Sequence, residues 1–170
     1  MKERSRPSTK GSTPALVALD AAGVSYAVHE FHHEPGDRNY GLVAAEALGV
    51  EPDRVFKTLL ANVTTERGVE PVVGIVPVSG HLSLRGLAAA LGGKRAEMCP
   101  TDVAERITGY VVGGIRPFGQ KKRLRTAIDE TCVLFDTVFV SGGRRGLDLE
   151  LAPDALVAVL DAVVAPISSD

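Results

Sequence analysis

Two strand-like runs that lie close together in the chain constrain its fold more than any other feature. The run 54–63 (RVFKTLLANV) is apolar on both faces of a strand, and the run 70–78 (EPVVGIVPV) follows after a short turn. Strand-forming runs at this separation pair as an antiparallel hairpin. Pro71, Gly74 and Pro77 indicate that the second strand is bent or lies at a sheet edge. A curved, mostly antiparallel sheet is therefore predicted around this hairpin.

Helical patterns flank the hairpin along the chain. Thr13 as N-cap, followed by Pro14, predicts a first helix that ends at Gly23. Further helices are predicted over 40–48, 81–91 with its start near Ser83, 100–106 and 154–164. Further strands are predicted over 24–33, 94–98, 110–112, 133–140 and 147–151. This order predicts an α+β fold in which helices flank an antiparallel or mixed, barrel-like sheet.

A single domain is expected. Neither a linker nor an internal repeat interrupts residues 13–170, and a chain of 170 residues is long enough to bury one core. Residues 1–12 (MKERSRPSTKGS) are basic and lack apolar periodicity, so they are predicted to form a flexible N-terminal arm.

Charge and cysteine content narrow the class of protein. The net charge is −2, so any contact with nucleic acid must come from a local basic patch. The two cysteines, Cys99 and Cys132, have no paired spacing, which argues against a disulfide scaffold or a cysteine zinc site. No apolar run reaches the length of a membrane span. A cytoplasmic protein without membrane contact is predicted.

Lys57 lies in the middle of the first hairpin strand, where lysine is unusual because it is almost never fully buried without a partner. One interpretation is an edge-strand lysine that prevents aggregation. The other is an ammonium group directed into a pocket, where it would meet a carbonyl, phosphate or hydroxyl group. The strand pattern alone does not choose between them.

The stretch 108–129 (TGYVVGGIRPFGQKKRLRTAID) combines a glycine pair with a basic cluster. Gly113 and Gly114 follow a short apolar strand, as expected where the backbone needs a positive φ or where something must approach the main chain closely. Basic residues that would hold a polyanion follow them: Lys121, Lys122, Arg123 and Arg125. The alternative is a β-turn followed by a solvated basic edge.

A second glycine pair follows the strand predicted over 133–140. It belongs to the segment Ser141-Gly142-Gly143-Arg144-Arg145-Gly146. The next run, 147–151 (LDLEL), alternates so that Asp148 and Glu150 share one face and the leucines the other. With Lys57, these segments predict a cleft for a small polar group and cations outside it. Neither a catalytic triad nor a phosphate-binding glycine loop is evident, so electrostatic and main-chain stabilisation is the expected chemistry.

Three histidines, His29, His32 and His33, lie near Glu34 and Asp37 and raise the question of a metal site. On a strand, His29 and His33 would share a face but stand about 13 Å apart at ~3.3 Å per residue, too far to bind one ion. His32 would point to the opposite face. No metal and no other cofactor is predicted.

Three motifs carry a resemblance to a known family: FKTLL around Lys57, GGIRPFGQKKRL from Gly113 and SGGRRGLDLEL from Ser141. In this order and spacing, with TPA from Thr13 and the segment HEFHHEP, they resemble the YbaK/EbsC-type aminoacyl-tRNA deacylases. These are free-standing bacterial relatives of the prolyl-tRNA synthetase editing domain. The resemblance implies metal-free hydrolysis of Cys-tRNA(Pro). It also implies, as partners, the acceptor end of tRNA(Pro) and prolyl-tRNA synthetase, with no DNA contact.

The resemblance implies roles by position. Lys57 is the expected catalytic residue, within a mechanism in which the substrate thiol attacks its own ester carbonyl. Substrate contacts are expected from Phe31, Thr58, Gly113, Gly114, Ser141, Gly142 and Asp148. Contacts to tRNA are expected from Lys121, Lys122, Arg123, Arg144 and Arg145.

The chain departs from the family pattern at Phe31, Arg116 and Arg125, where the family usually or often has Tyr, Ser and Pro. The first departure removes a hydroxyl group, and the others bear on pocket polarity. Two alternatives stay open. One is a deacylase for another small amino acid, for example on Ala-tRNA(Pro), and the other is a non-catalytic module that binds tRNA or a synthetase.

Overall fold

The computed structural model describes residues 13–34, 39–110, 115 and 123–170. Its helices are α1 (Pro14–Ala21), α2 (Tyr40–Leu48), α3 (Leu84–Ala90), α4 (Thr101–Thr108) and α5 (Pro153–Leu160). Two 3-10 helices cover Pro52–Arg54 and Glu130–Leu134. Within these ranges, no helix combines the length and the apolar character that a membrane span requires.

Ten strands lie within the same described ranges. They are β1 (Ala27–Glu30), β2 (Phe56–Thr65), β3 (Gly68–Pro77), β4 (His81–Leu82), β5 (Arg95–Met98), β6 (Thr126–Asp129), β7 (Val138–Ser141), β8 (Leu147–Leu151), β9 (Val163–Ala165) and β10 (Ser168–Ser169). They form a five-stranded sheet in the order β5-β2-β3-β6-β9, a three-stranded sheet β1-β8-β7 and a two-stranded sheet β10-β4.

The predicted hairpin is confirmed and forms the centre of the larger sheet. β2 and β3 pair antiparallel from Phe56↔Pro77 to Thr65↔Gly68. β6 then pairs parallel with β3, and β9 pairs parallel with β6, so this sheet is mixed. The α+β class is thus confirmed. The described strands form open sheets and not a closed one, so barrel-like closure is not confirmed.

The sequence left open whether the prolines of β3 mark a bend or a sheet edge, and β3 is not an edge strand. β3 lies between β2 and β6, and β6 covers only Val73–Ile75 of it. Val78 N donates to Val55 O, which fixes the alternation of the β2–β3 ladder so that Pro71 and Pro77 lack bonding partners on β2. Both prolines lie beyond the reach of β6, so no ladder bond requires their missing N–H groups.

Two predicted elements are shorter in the structure. The strand predicted over 133–140 begins only at Val138, because the Asp129 carboxylate accepts a bond from Thr131 N and starts the 3-10 helix Glu130–Leu134. The helix predicted over 154–164 ends at Leu160, because Asp161 adopts a left-handed conformation with φ of 50°. The chain then continues as β9.

The main core lies between the two larger sheets and under three helices. Phe56 and Leu60 of β2 pack in one cluster with Leu149 and Leu151 of β8. The three helices contribute Leu16 and Leu19 of α1, Ala104 of α4 and Leu156 of α5. A second cluster lies beneath α3, around Val63, Val72 and Leu87. The first cluster holds β2 and β8 against each other and so determines the spacing of the cleft described next.

Candidate functional site

A cleft of about 400 Å³ lies where β2 meets the three-stranded sheet, with the first turns of α2 over it. Six of the predicted site residues line it: Phe31, Lys57, Thr58, Ser141, Arg145 and Asp148. They come from the loop after β1, from β2, from the end of β7, from the following loop and from β8. The fold thus brings together segments that are separated by more than a hundred positions in the chain.

The cleft exists because one edge of β2 is only partly paired. β5 pairs with β2 over Ala61–Thr64, and Cys99 N donates to Leu60 O just beyond that segment. Toward its start, β2 has no β5 neighbour. Since the β2–β3 bonds use the odd-numbered residues of β2, the main-chain N–H and C=O of Thr58 point to this open edge. This edge offers hydrogen bonds to a bound molecule.

Lys57 is half-buried at this edge, and its ammonium group has no hydrogen bond or ion pair with any residue that the structure describes. Desolvation by burial lowers the pKa of Lys57 below its usual value. A surface gatekeeper would stay hydrated, so the position fits the pocket interpretation better. Its catalytic role stays a prediction.

Asp148 lies at the centre of the three-stranded sheet and is only 6 % exposed. Its direct cross-strand neighbours are His29 on β1 and Ser141 on β7. The carboxyl group has no hydrogen bond or ion pair with the described part of the chain, and desolvation raises its pKa to about 7. A buried carboxyl without a partner in a cleft is characteristic of a binding or catalytic site.

Glu150, two residues along the same face, shows the opposite behaviour. It accepts a 2.6 Å bond from Thr137 Oγ1, its Oε1 lies 2.9 Å from His29 Nε2, and Arg54 approaches to 3.7 Å. Burial alone would raise its pKa, but these hydrogen bonds and the positive charge of Arg54 lower it overall. Asp148 and Glu150 therefore share one face of the sheet, as predicted. Of the two carboxyl groups, only that of Glu150 has hydrogen-bond partners among the described residues.

In the second glycine segment, residues 141–146, Gly142 has a structural role and Gly146 lines the cleft. Gly142 donates its N–H to Leu147 O at 2.6 Å and accepts a 2.7 Å bond from Thr13 Oγ1, and it does not line the cleft. Gly146 does line it, with φ of 85°, and an added Cβ would lie 2.8 Å from Phe31 O. Gly146 therefore allows the loop to approach the segment after β1.

The predicted tRNA-binding arginines differ in their surroundings. Arg144 forms an exposed ion pair with Glu30 at 2.9 Å, and the Arg145 guanidinium stacks 4.2 Å from the centre of the Tyr40 ring. Arg123 is exposed, whereas Arg125 is paired with Glu70 and does not line the cleft. Gly113, Gly114, Arg116, Lys121 and Lys122 lie outside the described residues.

Sequence reasoning missed two contributors to the cleft. Tyr40 and the next residues of α2 cover it, and α2 approaches closely because Gly41 packs on Val78, where a Cβ would lie 2.2 Å from Val78 Cγ1. A glycine inside a predicted helix was the available signal. Cys99 also lines the cleft, but desolvation raises the pKa of its thiol, so it is a poor nucleophile.

The strand predicted over 24–33 is shorter in the structure, where β1 covers Ala27–Glu30. β1 ends at Glu30, so His29 and His33 do not share a strand face. His29 lies beside Glu150, His32 beside Glu34, and His33 lines the cleft. The described residues contain no group of three metal-binding side chains.

Comparison with known proteins assigns the family. A family model described as the aminoacyl-tRNA editing domain matches residues 42–159, which include β2, Gly146 and β8. The chain belongs to the aminoacyl-tRNA editing domain family. This confirms the assignment made from the three motifs, and with it the prediction of a hydrolase that acts on aminoacyl-tRNA.

Individual relatives agree with this family. The editing domain is 35% identical over 161 residues to EbsC of Enterococcus faecalis, which is named as a candidate Cys-tRNA(Pro)/Cys-tRNA(Cys) deacylase. The aligned segment covers 95% of this chain and 96% of EbsC. It is 34% identical over 101 residues to the proline–tRNA ligase of Maridesulfovibrio salexigens, covering 59% of this chain and 16% of the ligase.

Solved structures share the fold. A candidate trans-editing enzyme for prolyl tRNA synthetase superposes with a TM-score of 0.77 at 22% identity, covering 96% of this chain and 100% of that chain. The hypothetical protein APE2540 superposes with a TM-score of 0.81 at 23% identity, covering 92% and 100%. At these identities the likeness concerns the fold alone.

Proposed function

We propose that this editing domain hydrolyses Cys-tRNA(Pro) in the cytoplasm, acting in trans on the acceptor end of the tRNA and beside prolyl-tRNA synthetase. The observation that carries the proposal is a cleft in which Lys57, Thr58 and Asp148 hold polar groups without partners among the described residues. Groups left unsatisfied by the fold are available to a ligand. The 35% identity to EbsC supports the choice of substrate.

The roles follow from charge. An aminoacyl ester carries one cation, its α-ammonium group, and Asp148 is the only acidic side chain lining the cleft among the described residues. Asp148 therefore binds the α-ammonium group. Lys57 donates to the ester carbonyl or to the terminal ribose, and the main chain at Gly113 and Gly114 binds the carbonyl oxygen as negative charge develops. Phe31 and Ser141 complete the walls.

The protein supplies no nucleophile in this proposal. The substrate thiol attacks its own ester carbonyl, so that a C–S bond forms, the ester C–O bond breaks and the thiol proton passes to the departing ribose oxygen, which becomes a hydroxyl group. Water then opens the resulting thiolactone. Ser141 Oγ accepts a long bond from Gly143 N and has no basic partner in the described chain, in keeping with a positioning site.

A deacylation panel tests the proposed reaction. The purified protein is incubated with Cys-tRNA(Pro), Ala-tRNA(Pro) and Pro-tRNA(Pro), each with and without EDTA. We expect rapid loss of the cysteinyl ester, little loss of the prolyl ester and no effect of EDTA. Faster hydrolysis of Ala-tRNA(Pro) would reassign the amino acid, whereas tRNA binding without cleavage would indicate a silent module. Inactivation by EDTA with rescue by zinc would contradict the metal-free mechanism.

The salt dependence of tRNA binding tests the proposed basic surface, which comprises Lys121, Lys122, Arg123, Arg144 and Arg145. We expect the double substitution Lys121→Glu and Lys122→Glu to weaken binding and to reduce the log–log salt slope by about 0.7 to 0.9 for each lost phosphate contact. The control is Arg67→Glu, at the exposed hairpin turn. An unchanged slope in the double variant would show that this patch does not contact tRNA.

A further inference from the structure

Thr58 is the unusual group in the cleft. The residue is 7 % exposed, and its Oγ1 is the one fully buried side-chain polar atom in the described chain that has no hydrogen-bond partner. Folding a hydroxyl away from water without a partner is unfavourable, and such atoms are uncommon in native proteins. No partner in the described chain offsets this cost.

The surroundings of Thr58 suit a small side chain of a bound molecule. Phe56, Thr58 and Leu60 share the even-numbered face of β2, and Phe56 and Leu60 belong to the main core cluster. Cys99 and Ala104 of the same cluster also line the cleft. This part of the cleft is therefore apolar apart from the Thr58 hydroxyl and the Cys99 thiol.

The main chain of Thr58 adds a second constraint. Its N–H and C=O face the open edge of β2, so one residue presents main-chain groups at the edge and a hydroxyl on the apolar face. A bound amino acid that contacts this edge through its own main chain directs its side chain along a face of the strand. Turning Thr58 about its Cα–Cβ bond toward that side chain breaks no hydrogen bond.

We propose that the Thr58 hydroxyl contacts the side-chain sulfur of the bound aminoacyl group and favours cysteine over an apolar side chain of the same size. The inference rests on the proposed deacylation and concerns amino-acid selectivity at the same site. A hydroxyl that hydrogen-bonds its ligand is left unsatisfied by an analogue without a polar atom, and this difference produces selectivity.

The test compares two ligands of nearly equal shape. Adenosine analogues with a non-hydrolysable 3′-amide link carry either cysteine or 2-aminobutyrate, whose methyl group replaces the thiol. Calorimetry under reducing conditions measures their affinities for the wild type and for Thr58→Val, Thr58→Ser and Thr64→Val. Thr64 lies on the same strand outside the cleft and is the matched control.

We expect the wild type, Thr58→Ser and Thr64→Val to prefer the cysteine analogue about three- to tenfold, the scale of one neutral hydrogen bond. Thr58→Val should bind both analogues equally and melt at the same or a higher temperature, because it lacks the unsatisfied hydroxyl. A preference retained in Thr58→Val would overturn the inference and leave deacylation intact. Failure of the wild type to bind either analogue or to hydrolyse any aminoacyl-tRNA would overturn both proposals.

Discussion

Replacing Lys57 with alanine is expected to slow single-turnover deacylation of Cys-tRNA(Pro) by about 10²- to 10³-fold, the usual effect of losing one preorganised donor. The half-buried ammonium group has no partner among the described residues, and desolvation lowers its pKa. The fold therefore gains little from this charge. Thermal stability should be unchanged or slightly higher in the variant, because a partly desolvated cation has been removed.

Two further variants test whether the loss of rate is specific to the ammonium group of Lys57. Lys57→Arg should not restore the rate, because a planar, forked guanidinium does not fit a site shaped for a compact ammonium group. Lys94→Ala removes an exposed lysine just before β5 and should leave the rate unchanged. A folded Lys57→Ala protein with a rate near that of the wild type would end the assignment of catalysis to this residue.

Replacing Asp148 with asparagine is expected to change how stability depends on pH. Burial raises the pKa of Asp148 from 3.8 to about 7, so between these pH values the folded protein holds a proton that the unfolded chain has lost. The contribution of this group to stability is largest below pH 4, falls as the pH rises and levels off above pH 7. A shift of this size corresponds to a change on the order of 4 kcal/mol.

The Asp148→Asn variant lacks this titration, so its stability relative to the wild type should rise from pH 4 to pH 8. Denaturant unfolding at several pH values measures the difference. Asp136→Asn removes an exposed carboxylate and is the matched control. Parallel stability curves for the wild type and Asp148→Asn would show that this carboxyl group is not desolvated.

Asp148→Asn is also expected to affect protein stability and substrate binding in opposite directions. Asp148→Asn removes the charge proposed to bind the α-ammonium group, so the variant should be more stable above pH 7 and bind the substrate more weakly. Opposite signs for stability and binding are expected wherever a fold leaves a buried polar group for its ligand. The Thr58→Val variant should show the same pattern on a smaller scale.

Local sequence patterns determined much of this fold. The β2–β3 hairpin follows from two strand-forming runs and a short turn, and Thr13 and Ser83 accept the capping bonds expected of them. The alternation in LDLEL placed Asp148 and Glu150 on one face. Each of these depends on residues only a few positions apart, so a single stretch of sequence contains the information.

Only the tertiary structure decided which of the polar groups find hydrogen-bond or ion-pair partners. Asp148 and Glu150 are equivalent in the sequence pattern, yet Glu150 meets His29, Arg54 and Thr137 while Asp148 remains without a partner in the described chain. Likewise, the β2 ladder opens at Thr58 only because β5 stops pairing at Ala61. Such contacts join positions far apart in the chain. They depend on how separate sheets pack, and no local pattern records that packing.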